Sequence, residues 1–295
     1  MSTHDTPAPF DIVLGSYLRA RRKALYWTLH RATLAAPVSR ATIHRWELAH
    51  APISTAGLEG LLKSYGAPPQ EIRYLQTHVA ARQARRRLNH RRRHSGAWDT
   101  WVDAAGKEAM ARYTLMARRA SDVIQYTAMR IPPDYRTPAY RTAITNPSRC
   151  PDPDEPADAP WWLRTVDHAA DQHRTLLLDE SVLKRPIGGP AVMAQQLQHL
   201  LQLMDDPAPA TIRVLPATYV SAISLYSEIA SFTVNGHPLI AGMHIAPWYE
   251  TSCSPTGRAA HDALRLAVDY GGRQESYDLL SDAADHWARS PEPRP

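Results

Sequence analysis

Only two cysteines, Cys150 and Cys253, occur in 295 residues, and neither has a Cys-x-x-Cys or Cys/His neighbourhood. That spacing excludes a disulfide framework and predicts no zinc or other metal site. No stretch reaches the roughly 20 consecutive apolar residues that span a bilayer, so no membrane partner is expected. Met1–Phe10 lacks the basic-then-apolar order of a secretory signal, which points to a cytoplasmic, nucleoid-associated protein. Catalytic signatures are missing as well: Gly-x-Ser-x-Gly, His-Glu-x-x-His, Gly-Lys-Ser/Thr and Gly-x-Gly-x-x-Gly do not occur. Asp179 and Glu180 are adjacent on an expected strand and would face opposite ways, which excludes a carboxylate dyad. His237, His244 and His261 lack the close spacing of metal ligands. No cofactor follows from any of these residues, and the balance leans away from an enzyme.

What the chain does have is a hydrophobic content of 44%, enough for a packed core, and an uneven distribution of charge. Residues 1–94 hold 16 Lys and Arg against five acids, Asp5, Asp11, Glu47, Glu59 and Glu71. The remainder holds 18 basic and 24 acidic residues. A basic head on an acidic body is the footprint of a nucleic-acid module joined to a domain that does not touch DNA. A solvated basic face would give the same count, so charge alone leaves both readings open.

The length suggests two domains, and texture divides them at residues 1–80, a basic helical linker at 81–97, and a body at 98–295. Within 11–80, short helical patterns alternate with breaks at Ala36-Pro37, Ala51-Pro52 and Gly66-Ala67-Pro68-Pro69. Residues 70–94 read as one basic helix carrying Arg82, Arg85, Arg86, Arg87, Arg91, Arg92 and Arg93. So many cations on a few turns repel one another unless they meet counter-charge, and phosphate contact is expected at Arg85 and Arg86. Residues 98–130 read as helical again. Asn146 to Pro160, with five prolines and four acids, reads as a surface loop. Beyond about 174, β-branched and apolar runs predict strands at Thr175–Leu178, Thr211–Leu215, Glu228–Val234 and Leu239–Ile245. Ala191–Met204 is an amphipathic helix, and two further helices are expected near 256–270 and 273–288.

The central motif is Val38-Ser39-Arg40-Ala41-Thr42-Ile43-His44-Arg45-Trp46-Glu47. Ser39 is a good N-cap. Val38, Ile43 and Trp46 can point inward while Arg40, Ala41, His44 and Arg45 point outward. An apolar back and a polar N-terminal face are what a helix needs to sit in the major groove. About ten residues upstream, Thr28 is placed to cap the preceding helix, and Leu58, Leu61 and Leu62 line the following one. With Leu14-Gly15-x-x-Leu18-Arg19-x-x-Arg22 and Leu58-x-x-Leu61-Leu62-x-x-Tyr65-Gly66, residues 14–66 resemble the lambda-repressor-like, xenobiotic-response-element type of helix-turn-helix domain. The resemblance implies that Arg40, Ala41 and Arg45 read bases, that Thr28 and Ser39 contact phosphates, and that Arg22 and Glu47 form a partly buried ion pair. The chain departs from that family at Arg21, Tyr26, Leu29, Thr33 and Ala36.

In the body, Leu178-Asp-Glu-Ser181-x-Leu183-x-Arg185-Pro186-x-Gly188-Gly189-Pro190-x-Val192-Met193-x-x-Gln196-Leu197-x-x-Leu200 resembles an actinobacterial domain of poorly defined function. Such domains follow helix-turn-helix domains in antitoxin-like regulators. Thr211-Ile-x-Val-Leu-Pro216 and Ile131-Pro132-x-x-x-x-Thr137-x-x-Tyr140 match weaker stretches of it. Physically, Arg185-Pro-x-Gly-Gly-Pro reads as a turn that feeds a helix begun by Pro190. Tyr135, Tyr140, Tyr219, Tyr226, Trp248 and Tyr249 are core residues on one reading and the lining of an apolar pocket on the other.

The expected fold is therefore α+β: an all-α helix-turn-helix bundle followed by an α+β body with a small, mainly antiparallel sheet. The expected function is a sequence-specific, homodimeric transcriptional regulator that binds double-stranded DNA. Its body would take a small-molecule effector or a small acidic or antitoxin-like protein partner. The alternative is an enzyme or ligand-binding protein of specialised metabolism that kept the scaffold after its DNA face decayed. The departures at Tyr26, Leu29 and Thr33 motivate it.

Overall fold

The structure is a computed structural model that describes residues 7–88, 99–100, 106–148, 160–206, 210–243, 247–251 and 254–291. Five helices form the head: α1 (Pro9–Ala24), α2 (Leu29–Thr33), α3 (Arg40–Glu47), α4 (Leu58–Ser64) and α5 (Pro69–Leu88). Pro9 opens α1, and Arg21, Arg22 and Lys23 occupy its last turn, where cations complement the helix dipole. Thr28 caps α2 through Arg31 N, and Ser39 caps α3 through Thr42 N, both at 3.1 Å. Helices α1, α3 and α4 each end in a left-handed residue: Tyr26 (φ 56°), Ala49 (φ 56°) and Gly66 (φ 69°). Behind each, the 6→1 bond of a Schellman turn closes, as in Trp27 N to Arg22 O. Tyr26 replaces the glycine usual at such a turn, at a cost of about 1 kcal/mol, and the turn forms regardless.

The body runs β1 (Asp99–Thr100), α6 (Gly106–Arg119), β2 (Asp122–Thr127), α7 (Pro138–Ser148), β3 (His173–Asp179), α8 (Glu180–Leu183) and α9 (Pro190–Asp205). It continues with β4 (Ala210–Leu215), β5 (Glu228–Val234), β6 (His237–Met243), β7 (Pro247–Thr251), α10 (Pro255–Tyr270) and α11 (Arg273–Arg289). The strands form one mixed sheet in the order β1-β7-β6-β5-β2-β3-β4. β2, β3 and β4 are parallel, and the remaining pairings are antiparallel. Three strands were not expected: β1 and β2 fall inside the stretch read as helical, and β7 holds two of the aromatics read as pocket residues. The stretch read as a loop from residue 146 continues α7 as far as Ser148, and 149–159 lie outside the described residues.

Side chains alternate across the sheet. One face, with Ile124, Tyr126, Leu177, Ile229 and Ile240, is covered by Ala260, Leu264 and Ala267 of α10. The opposite face is shared. Over its parallel half, Leu176, Leu178, Ile212 and Val214 pack under α7, α9 and α11. Over its antiparallel half, Val123, Ala230, Phe232, Leu239 and Tyr249 belong to one cluster with Leu115 and Met116 of α6 and with Ile12, Val13 and Tyr17 of α1. The head is thus a layer of the body's own sandwich.

Candidate nucleic-acid interface

The outward face of α3 is built as its sequence requires. Ile43 and Trp46 are buried, Val38 is half-buried, and Arg40, Ala41, His44 and Arg45 are exposed. Gly15 lets α1 approach α3 closely; a Cβ there would lie 2.2 Å from the Trp46 carbonyl oxygen. Thr28 and Ser39 are exposed at the starts of α2 and α3, with unsatisfied backbone N–H groups and positive dipole ends beside them. The Ser39 and Thr42 hydroxyls meet at 2.9 Å, which fixes the cap. The surface can therefore offer hydrogen-bond donors and cations to an anionic backbone, with two arginines and a histidine projecting beyond.

The inward face is ionic as well as apolar. Arg22 and Glu47 meet in a bidentate pair at 2.6 and 2.7 Å, and Arg22 also donates to Trp27 O at 2.6 Å. The Glu47 hydrogen bond raises the proton affinity of Arg22 against the opposing effect of burial. Arg21, where an apolar residue was expected, is only 1% exposed. It donates to Tyr17 Oη (2.6 Å), Gly66 O (2.6 Å) and Tyr65 O (3.3 Å), and it lies 4.0 Å from Glu108 of α6. Glu108 accepts from Trp162 Nε1 at 3.1 Å, and Trp162 meets Tyr17 edge-on at 5.1 Å between ring centroids. Beside them Arg112 of α6 donates to Glu71 of α5, both buried. Burial pushes the Glu71 carboxyl up, and the Arg112 charge opposes that shift. Two arginines and two glutamates thus compensate one another in the seam between head and body.

Arg21, Glu71, Glu108 and Arg112 carry no role in the sequence reading. The available signal was a charged residue on the apolar side of α1, which demands a buried partner.

Other expected site residues separate. Arg82, from the basic run, is bound to Asp11 at 2.8 Å and is not free for phosphate. Arg85 and Arg86 lie on the last turns of α5, but their side chains fall outside the described residues, as do Arg91–Arg93 entirely. The six aromatics do not converge. Tyr135 and Tyr140 are buried under α9, Trp248 and its neighbour Tyr226 lie on the α10 face, and Tyr249 belongs to the head-side cluster. Tyr219 is half-buried against Tyr270, at 4.5 Å between ring centroids. A groove of about 400 Å³ near Met204, Arg213 and Arg273 involves none of the six.

Asp179 ends β3 and caps α8, while Glu180 accepts from Ala217 N at 2.7 Å, so neither faces a shared proton. His237 contacts Leu48 O and His261 contacts Ser231. Among the described residues no His/Cys/Asp/Glu group could hold a metal, and no helix is long and apolar enough to cross a membrane. The Arg185–Pro190 motif forms the turn read from it, with Gly188 and Gly189 at φ 73° and 88° and Pro190 starting α9. Gln196 clasps the 131–140 segment, accepting from Thr137 N and donating to Tyr135 O, each at 2.7 Å.

Comparison with known families gives two matches. Residues 13–75 match a helix-turn-helix domain, and residues 110–246 match a domain of unknown function (DUF5753). Nothing among the curated proteins or the solved structures matches the chain. The helix-turn-helix match, on a head with this outward face, supports a DNA-binding regulator, and residues 110–246 are similar to a domain family without an assigned activity.

Proposed function

We propose that this chain is a sequence-specific transcriptional regulator that reads double-stranded DNA with α3 and acts as a homodimer. The observation that carries the reading is the division of α3 into a buried apolar back and an exposed Arg40, Ala41, His44 and Arg45 face. In this reading Arg40 and Arg45 make bidentate contact to guanine O6 and N7, and Thr28 and Ser39 contact phosphates; the exposure of all four supports it. Arg85 and Arg86 add sequence-independent attraction through the basic end of α5. Dimerisation supplies two half-sites, because a single module of this size buries too little for tight specific binding. The body takes a small-molecule effector or a small protein partner; the exposed Val220 and Leu225 and the Tyr219–Tyr270 pair support that reading.

Selection of duplexes from a random pool by the full chain tests the proposal. The expected product is a symmetric motif with half-sites about one helical turn apart. Absence of any enriched sequence at moderate salt would overturn it.

A further inference from the structure

The last carbonyls of a helix have no partner inside it. In α3 the Schellman turn answers two of them: His50 N donates to Arg45 O at 2.8 Å and Ala49 N to Trp46 O at 3.1 Å. The carbonyls of Glu47 and of the capping residue Leu48 remain. Both are taken by the body. Asn235 Nδ2 donates to Glu47 O at 3.4 Å, and His237 Nε2 lies 3.1 Å from Leu48 O. A carbonyl only accepts, so His237 carries its proton on Nε2. Its ring also meets His50 edge-on, with centroids 5.9 Å apart.

The donors sit on a stiff element. Asn235 and Gly236, at φ 52° and 78°, form the two-residue turn between β5 and β6. Positive φ at both positions is the geometry that matches strand twist and fixes the hairpin's register. Neither strand is an edge: β5 pairs with β2 and β6, and β6 with β5 and β7. The recognition helix therefore ends on the tip of an inner hairpin of the body's sheet, through contacts 188 and 189 residues away along the chain.

We infer that the Asn235–His237 turn is a positioning element of the DNA-reading surface, which lends the body control over sequence discrimination without touching DNA. The inference rests on α3 being the base-reading helix. An eight-residue helix is about 12 Å long, so a shift of about 1 Å at its C-terminal end tilts it by roughly 5°. Hydrogen bonds to base edges span only a few tenths of an ångström of good geometry, so small tilts remove them. Phosphate contacts from flexible arginines tolerate the same tilt.

The test uses the full chain, the duplex that it selects, and a scrambled duplex. Asn235→Gly with His237→Val removes both donors while keeping a turn and a strand residue that the hairpin accepts. Expected is a fall of about tenfold in the ratio of selected to scrambled affinity, the equivalent of roughly one lost bidentate contact. Scrambled-DNA affinity and the salt slope should stay as in the parent, and His237→Gln, which keeps a donor, should retain most of the ratio. A purely structural role would lower the melting temperature without moving the ratio, and that outcome overturns the inference. If the double variant does not fold, His237→Val alone is measured, and an unchanged ratio again overturns it. A parent chain that selects no sequence would instead defeat the DNA reading itself.

Discussion

The two faces of the head obey different rules. Its outward face keeps side chains free: Arg40, Ala41, His44 and Arg45 are exposed, and their neighbours are caps rather than ion pairs. On the inward face, charges are tied one to one: Arg21 near Glu108, Arg22 to Glu47, Arg82 to Asp11 and Arg112 to Glu71. Arginine is abundant on both, so composition alone does not separate binding from scaffolding. What separates them is whether a carboxylate already stands beside the guanidinium. Substitutions in the Glu71–Arg112 seam should change stability and spare base preference; substitutions outside should do the reverse.

The largest effect is expected inside. Glu71→Gln leaves the fully buried Arg112 uncompensated, and urea unfolding should show a loss of about 3–5 kcal/mol. Replacing both partners by leucine and methionine should recover most of that loss, because the desolvation cost disappears with the charges. Outside, Arg40→Ala should leave the unfolding midpoint within error and remove about 1–3 kcal/mol of discrimination between selected and scrambled DNA, read by fluorescence anisotropy. Equal weakening on both duplexes would show that Arg40 meets phosphate only.

Ser39→Ala tests the boundary between the faces. It should cost about 1 kcal/mol of stability through the lost cap and also weaken DNA binding, so it should move both readouts modestly.

The smallest effect concerns pH. Burial lowers the proton affinity of His237, with His50 adding to the shift and the Leu48 carbonyl opposing it. The folded chain thus binds this proton less well than the unfolded chain. The stability tied to the neutral ring is complete above the ordinary histidine value of about 6.5 and is lost as pH falls below it. Melting curves between about pH 7.5 and 5.5 should drop more for the parent than for His237→Gln; parallel curves would show that the ring does not contribute.

Much of the head was legible because its signals are local. Thr28 and Ser39 announce helix starts, and Ile43 and Trp46 give the buried period, so α2 and α3 begin at the expected residues. The body's helices α9, α10 and α11 came through for the same reason. β2 did not. Val123 to Thr127 are buried on both faces between two strands, which erases the alternation that marks a half-buried strand. The aromatics misled in the opposite direction, since size and apolarity suit a core as well as a pocket. Tyr135, Tyr140, Trp248 and Tyr249 went to the core. The contacts between head and body were illegible because both partners of each, such as Glu71 with Arg112, lie far apart in sequence and carry no local pattern. The hairpin was half legible: Asn235-Gly236 is a turn signal, but nothing local says what its tip touches.

The sharing of one sheet face between head and helices also sets a clock. A ribosome releases residues 9–88 first, whereas Trp162, Phe232 and Tyr249, which complete the cluster around α1 and α6, come much later. At roughly 5–20 residues per second, the nascent helix-turn-helix waits on the order of ten to thirty seconds for its cover. During that interval one flank of α1 is a natural client for chaperones at the exit tunnel. The cluster that holds α1 closes only once Tyr249 has been made, so products truncated before it should bind operators less well.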